Sequence, residues 1–351
     1  MPLYCRPCVS FYIYGQCMTD QDISAPQHAY AGLSPDVVMD AVETGGFQCT
    51  GAILPLNSYE NRVYKIELEG QAPVIAKFYR PERWADEAIL EEHAFSLELH
   101  EREIPVVAPM TLANGRTLNR YAGFRFALFP CQGGRAPEMN DPEDFVIMGR
   151  FLGRIHAVGA MKPFQYRPQL SIEHFGHESL AFLLQCKLIP QELLYPYESL
   201  VRDLLTEIEA VFASCRGVKQ IRLHGDCHLG NVLWTENGPH FVDLDDCRSG
   251  PAVQDIWMLL SGDRQSMTIQ LADIMDGYRE FYDFDSRELQ LIESLRTLRM
   301  IHYSAWLARR WDDPAFPMHF PWFAEQRYWE EQILSLREQF ALIQEPALVC
   351  Y

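Results

Sequence analysis

From Leu223 to Asp246 the chain reads Leu-His-Gly-Asp-Cys-His-Leu-Gly-Asn-Val-Leu-Trp-Thr-Glu-Asn-Gly-Pro-His-Phe-Val-Asp-Leu-Asp-Asp. Three oxygen-bearing side chains stand out in it. Asp226 falls on a loop, Asn231 at the loop's end, and Asp243 just after a strand. A hairpin around Glu236-Asn237-Gly238-Pro239 would fold the segment back, so Asn231 and Asp243 face one another. A carboxylate and a carboxamide oxygen on such a platform suit Mg²⁺, a hard cation that keeps waters and takes phosphate oxygens as further ligands. Asp226 is then left to orient an incoming hydroxyl and accept its proton late. Any one of these residues could merely cap a turn; the three in this order point to phosphoryl transfer. Asp245 and Asp246 fit a supporting role or weak metal ligation. His224 and His228 fit packing and hydrogen bonding better than proton abstraction, because the neighbouring Asp already supplies the base.

Such a platform needs positive charge opposite. Lys77, in Val-Ile-Ala-Lys-Phe, alternates out of an apolar strand. A strand Lys usually reaches solvent, so its placement has meaning only beside the acidic constellation.

The elements that must position these residues follow from pattern. Ser34-Pro35-Asp36 opens a helix that stops at Gly45-Gly46. Strands are expected at Cys49–Leu56, Arg62–Leu68 and Pro73–Tyr79, then a helix over Ala85–Glu101. Two more strands, Met110–Leu118 and Gly123–Phe129, would pair across an Asn114-Gly115 turn. Beyond Pro130 the pattern becomes mainly helical, with an amphipathic segment from Phe145 to Val158. The expectation is an α+β fold: a poorly ordered tail over 1–25, a small β-rich lobe over 26–130, and a larger, mostly helical lobe over 131–351 with the catalytic loop and the substrate side. Met18 could be the native start. The helix start Gly-Pro-Ala-Val-Gln-Asp255 reads as an anchor for the loop. Arg309, Arg310, Trp311, Asp312 and Asp313 read as a structural cluster rather than a substrate contact.

Composition narrows the function classes. The 351 residues suffice for two separate cores, and 48% are hydrophobic. No apolar run reaches the roughly 20 residues of a membrane helix. The net charge of −18 repels nucleic acid, and any phosphate site must be locally positive against it. The 10 cysteines read as reduced thiols. Cys5 and Cys8 lack a second pair at zinc spacing, and Cys227 and Cys247, beside acidic residues, read as packing.

His-Gly-Asp, four residues, then Asn resembles the catalytic loop of protein kinases and of the aminoglycoside and choline kinases. Val242-Asp243-Leu244-Asp245 stands in the place of Asp-Phe-Gly, with Asp where Gly would be. With Leu-Asn-Ser-Tyr-Glu-Asn-Arg-Val-Tyr, Phe-Ala-Leu-Phe-Pro-Cys-Gln-Gly-Gly-Arg and Trp-Leu-Ala-Arg-Arg-Trp-Asp-Asp-Pro, the chain resembles the bacterial stress response kinases of the aminoglycoside phosphotransferase and choline kinase-like superfamily. The resemblance implies the two-lobed protein-kinase-like fold. It also implies ATP as co-substrate with Mg²⁺, Ser/Thr hydroxyls of proteins as acceptors, and a cytoplasmic monomer. It implies Asp226 and Asp243 as catalytic, Asn231 and Asp243 as metal ligands, and Lys77 on the nucleotide phosphates, held by Glu92 or, second, Glu91. The turn Asn57–Arg62 lies where a Gly-rich loop would be and has no Gly; Ser58, then Asn61 and Arg62, are the expected phosphate contacts. Phe126–Pro130, with Phe129, would be the hinge whose backbone meets adenine. Rival readings are a small-molecule kinase for amino alcohols or aminoglycosides, and an inactive nucleotide-binding scaffold.

Overall fold

The computed structural model describes residues 29–350. The expected tail, Cys5, Cys8 and Met18 therefore lie outside the described residues. Helix α1 (Pro35–Glu43) starts as its residues dictate: Ser34 accepts the Val37 N–H at 3.3 Å, and Pro35 needs no partner at the first position. Strands β1 (Cys49–Leu56), β2 (Arg62–Leu68) and β3 (Val74–Phe78) follow, then α2 (Asp86–Glu101), β4 (Asn119–Tyr121) and β5 (Phe124–Pro130). The five strands form one antiparallel sheet in the order β1-β2-β3-β5-β4.

Register decides what each face of the sheet carries. Leu56, Val63, Lys77 and Ala127 form one cross-strand row, and Leu54, Lys65, Ile75 and Phe129 form the next row on the same face. The opposite face carries Ile66, Ala76, Phe78, Phe126 and Leu128, which pack with Val38, Ala41 and Val42 of α1. On the Lys77 face the apolar rows stay uncovered toward β1, where Leu54 is 56% and Leu56 37% exposed.

Two expectations here need correcting. Met110–Leu118 is not a strand; it gives one amide to the sheet, Met110 to the Leu128 carbonyl, and then turns on itself, the Gly115 amide meeting the Leu112 carbonyl. The hairpin is made instead by Ala122 and Gly123, both at positive φ, 45° and 87°, between the paired Tyr121 and Phe124. Phe126–Pro130, the expected hinge, lies within β5 and pairs with β3.

The second lobe is built from α3 (Pro142–Gly159), α4 (Glu178–Gln185), α5 (Gln191–Ser214), β6 (Ile221–Leu223), β7 (Val232–Thr235), β8 (Gly238–Phe241), β9 (Arg248–Gly250), α6 (Val253–Trp257), α7 (Arg264–Tyr278), α8 (Ile292–Arg309), α9 (Ala315–His319) and α10 (Gln326–Ile343). Its core includes Leu152, Leu204, Ile274, Leu298 and Trp329, and it also takes in Phe95 and Leu99 from the end of α2. Helix α2 thus belongs to both lobes, since its Ile89 packs with Tyr79 and Ala127 of the sheet. None of the described helices is long and apolar enough to cross a membrane.

Glycine sets the closest approaches. A Cβ on Gly149 of α3 would stand 2.0 Å from the Ile274 carbonyl oxygen, and one on Gly277 of α7 2.0 Å from that of Val146. At the end of α3, a Cβ on Gly159 would stand 2.1 Å from the Arg222 oxygen of β6, the strand that enters the loop at Asp226. The other support of that loop is Glu288, whose Oε2 accepts the Val253 N–H at 2.8 Å at the start of α6.

Two outcomes follow from this packing. Gly277→Ala should lower stability by about 2 kcal/mol in urea unfolding, because overpacking outweighs the ~1 kcal/mol that Ala gains in a helix. Burial pushes the Glu288 carboxyl up to about 7 from its ordinary 4.5. Between those pH values the folded chain keeps a proton that the unfolded chain has lost, so stability falls as pH rises through the window. Glu288→Gln should therefore be more stable than the parent at pH 8, by on the order of 3 kcal/mol, and no more stable near pH 4.5. Denaturant midpoints at the two pH values check it.

Candidate active site

The loop between β6 and β7 is held from beneath by one buried carboxylate. Asp255 accepts the His224 and Gly225 amides, both at 2.8 Å, and faces His156 Nε2 at 3.1 Å. His224 donates Nε2–H to the Val242 carbonyl at 2.9 Å, which ties the loop to the segment after β8. Gly225 has φ 85°, and a Cβ there would stand 2.3 Å from the Asp246 oxygen, so no larger residue fits between His224 and Asp226. Asp255 and the histidines are anchors.

Asp226 is fixed on both oxygens. Oδ1 stands 2.6 Å from Arg299 Nη1 of α8; Oδ2 stands 3.5 Å from Asn231 Nδ2 and 3.5 Å from His228 Nε2. Burial alone would raise its pKa, but Arg299 and His228 outweigh burial and hold the carboxyl well below its usual range. It is thus an ionised acceptor at neutral pH. Asn231 also donates Nδ2–H to the Asp226 carbonyl at 2.9 Å. That commits the amide nitrogen and turns the amide oxygen away from Asp226.

The β7–β8 pairing places Val242 beside Asn231, amide to carbonyl at 3.0 Å. The strand ends at Phe241, so Asp243 sits just after it in a turn, at φ 59° and ψ 61°. This left-handed geometry throws its carboxylate, 52% exposed, toward the sheet of the other lobe. There Oδ1 meets Lys77 Nζ at 2.9 Å. Lys77 also stands 3.3 Å from Asp245 and 3.9 Å from Glu92. Burial works against the ammonium, but the three carboxylates outweigh it and hold its pKa well above the ordinary value. Burial pushes Glu92 up to about 7 even with Lys77 beside it. Glu91 turns away and accepts the amides of Gln165, Tyr166 and Arg167 at 2.6–2.7 Å.

The turn between β1 and β2 is less like the expectation. Asn61 does not offer its side chain outward: Nδ2 donates to Asp245 at 3.1 Å and Oδ1 accepts the Arg80 amide at 3.1 Å. It ties the turn to the other lobe, and its expected phosphate contact is withdrawn. Arg62 likewise lies over the Tyr30 ring at 4.5 Å. Ser58 stays half-buried in the turn. Phe129 sits half-buried on the Lys77 face of β5, in one row with Leu54, Lys65 and Ile75, and packs edge-on against His93 at 6.3 Å.

Several residues that matter here carried no sequence signal. Arg83 pairs with both Asp245 and Asp246, and Arg167 donates to the backbone oxygens of Asp245 and Cys247. Both acidic residues are thereby spent on ion pairs rather than open to a metal. Glu60 accepts from Trp306 at 2.6 Å and Arg310 at 2.8 Å, and Asp313 pairs with Arg80 at 2.7 Å. The late Arg/Trp/Asp cluster thus clamps the turn. Cys227 and Cys247 are buried, and burial pushes their thiols up, that of Cys247 to about 12, which makes them inert.

Among the described residues no group of three or more His, Cys, Asp or Glu side chains is arranged to hold a metal by itself. What the site offers is the Asn231 amide oxygen and the exposed Asp243 carboxylate. That donor set fits a hard cation completing its shell with phosphate oxygens and water.

The sequence model of the phosphotransferase enzyme family matches residues 52–292. Stress response kinase A of Escherichia coli (strain K12) is 45% identical over 316 residues, which is 90% of this chain and 95% of that protein. Serine/threonine protein kinase RdoA of Salmonella typhimurium is 43% identical over the same shares. Among solved structures, an amicoumacin kinase in complex with AMP-PNP and Ca²⁺ superposes with a TM-score of 0.64 at 19% identity, covering 84% of this chain and 92% of its own. A microcompartment-associated aminopropanol kinase gives 0.65 at 17%, covering 88% and 97%. The two solved structures share the two-lobed kinase-like fold, and the relatives align along nearly the whole chain. With the family model spanning more than half of the chain, this protein belongs to the phosphotransferase enzyme family.

Proposed function

We propose that the protein is an Mg²⁺- and ATP-dependent serine/threonine protein kinase of a stress response, with Asp226 as acceptor base. The observation that carries this reading is the convergence of Asp226, Asn231 and Asp243 on one side of the cleft with Lys77 opposite, joined by the 2.9 Å Lys77–Asp243 contact. The protein acceptor is favoured over a small molecule by the near full-length relatives named as stress response or serine/threonine kinases. We extend the reading to a cytoplasmic monomer, as the resemblance implies.

Each residue then has a physical task. The apolar side chains of the Lys77 face, Leu54, Leu56, Ile75 and Phe129, give adenine a bed, and the backbone beyond β5 gives it hydrogen bonds. Lys77, aligned by Glu92, exchanges its contact with Asp243 for the α- and β-phosphates. Amides of the turn around Ser58 cover the phosphate chain. Asn231 and Asp243 would hold Mg²⁺, which when bound supplies positive charge to the β- and γ-phosphate oxygens. Asp226 accepts a hydrogen bond from the acceptor hydroxyl, aims its oxygen at the γ-phosphorus, and takes the proton as the P–O bond to the leaving ADP breaks. Placement and charge do most of the work, since the transition state is loose.

Asp226→Ala should lose phosphoryl transfer by roughly 10²- to 10⁴-fold while nucleotide still binds. Asp243→Ala should weaken Mg·ATP binding itself. Mass spectrometry of phosphosites in a lysate treated with Mg·ATP, beside calorimetric titration with the nucleotide, separates the two defects. Normal phosphorylation by both variants would end the assignment.

A further inference from the structure

Helix α8 connects the two ends of the site. Arg299, Tyr303 and Trp306 lie three or four residues apart on it, and Arg310 caps its end. At about 100° per residue the four share a stripe roughly a sixth of the helix circumference wide. At one end Arg299 holds Asp226 at 2.6 Å. At the other, Trp306 and Arg310 hold Glu60 of the β1–β2 turn at 2.6 and 2.8 Å. Both arginines are spent on carboxylates, so what the middle of the stripe offers is aromatic. Tyr303 is 38% exposed and stacks on Trp306, with centroids 5.7 Å apart and planes at 28°. Trp306 is backed in turn by Phe316 at 5.1 Å and Phe320 at 6.0 Å.

We infer that this stripe is the acceptor ledge: a Ser- or Thr-bearing polypeptide lies extended along α8, its hydroxyl at Asp226 and an apolar side chain on the Tyr303–Trp306 stack. The inference rests on the kinase reading above and adds the sequence that the site selects. Along α8, Tyr303 lies roughly 6 Å beyond Arg299 and Trp306 roughly 10 Å beyond it, at about 1.5 Å per residue. An extended chain covers about 3.3 Å per residue, so the side chain over the stack belongs to the residue two or three places from the acceptor. A ledge that long serves a polypeptide; a small alcohol would need only its first few ångströms. The rings give a flat apolar seat, which takes Leu, Ile, Met or Phe in preference to a charged residue.

A peptide library tests this, with one fixed Ser or Thr and every residue varied at the second and third positions on each side, incubated with the full chain and Mg·ATP. The parent should select apolar residues at one or both of those positions on one side of the acceptor. Tyr303→Ala should erase the selection and raise KM for the selected peptide roughly three- to tenfold, with KM for ATP unchanged. Tyr303→Phe should restore the selection, because the ring and not the hydroxyl makes the seat. A parent without apolar preference at those positions, or a Tyr303→Ala variant that keeps it, overturns the ledge while leaving the kinase reading intact. Inert peptides beside a phosphorylated small alcohol would instead overturn the protein-kinase reading, and the ledge with it.

Discussion

The site depends on one electrostatic constraint: an ammonium buried between two lobes must be neutralised from both. Lys77 leaves the sheet into a region where an unpaired charge would cost several kcal/mol. Glu92 answers from its own lobe, Asp243 and Asp245 from the other. Those carboxylates would themselves be stranded, so Arg83 and Arg167 stand against Asp245, Asp246 and the backbone between them. The result is a near-balanced cluster across the cleft, in which no charge can be removed without exposing another. It also settles what Asp245 does in place of a Gly. Burial favours its neutral form, but Arg83, Lys77 and Arg167 outweigh burial and keep it ionised, which nails the segment after Asp243 in place. On the proposed reading, nucleotide phosphates would bring negative charge to Lys77 and a divalent cation positive charge to Asp243, replacing their mutual contact without disturbing the Asp245 network.

Backbone approach supplies the second half of the geometry. Gly159 lets α3 touch β6, and Gly225 lets the loop touch the Asp246 carbonyl. Asp255 then fixes the loop through two amides that would otherwise be buried without partners. Arg299 adds the last restraint, on Asp226 Oδ1. Asp226 is therefore oriented by its supports within the folded chain.

The legible part of the site was the local part. Asp226, Asn231 and Asp243 sit within one loop and hairpin, so spacing alone brings them together. Lys77 is not local in this sense: its partner Asp243 lies 166 residues along the chain, and it is legible only through the family resemblance. The hairpin between β4 and β5 was misplaced because Asn114-Gly115 is a genuine turn signal used for a loop, whereas Ala122-Gly123 advertises itself by Gly alone. In sequence Asn61 fits a phosphate contact as well as a tie, because a short polar residue in that turn can serve either role; only the partner on Asp245 decides, and it lies far along the chain. Arg83, Arg167 and Arg299 were invisible for the same reason. An ion pair between distant segments leaves no periodicity, and a surface Arg and a buried one look alike in sequence. That Leu54, Leu56, Ile75 and Phe129 share the Lys77 face appears only once register is known, since one strand alone does not tell which face is which.

The absence of glycine from the turn between β1 and β2 has a mechanical counterpart. A Gly-rich loop gets close to phosphate by being free of side chains and loose. Here Tyr59 rests edge-on against Phe320 at 4.8 Å, Glu60 is held by Arg310 and Trp306, and Asn61 is bonded to Asp245. Three consecutive residues of the turn are thus fastened to the helical lobe, and Arg80 and Asp313 add a further tie beside them. The turn is preformed rather than loose, and its conformational entropy is lost in folding instead of at nucleotide binding. The same ties make turn and helix α8 one mechanical unit. A movement of the turn must pull on Glu60, hence on the helix whose other end holds Asp226. The β1–β2 turn and Asp226 are therefore linked through a single rigid element.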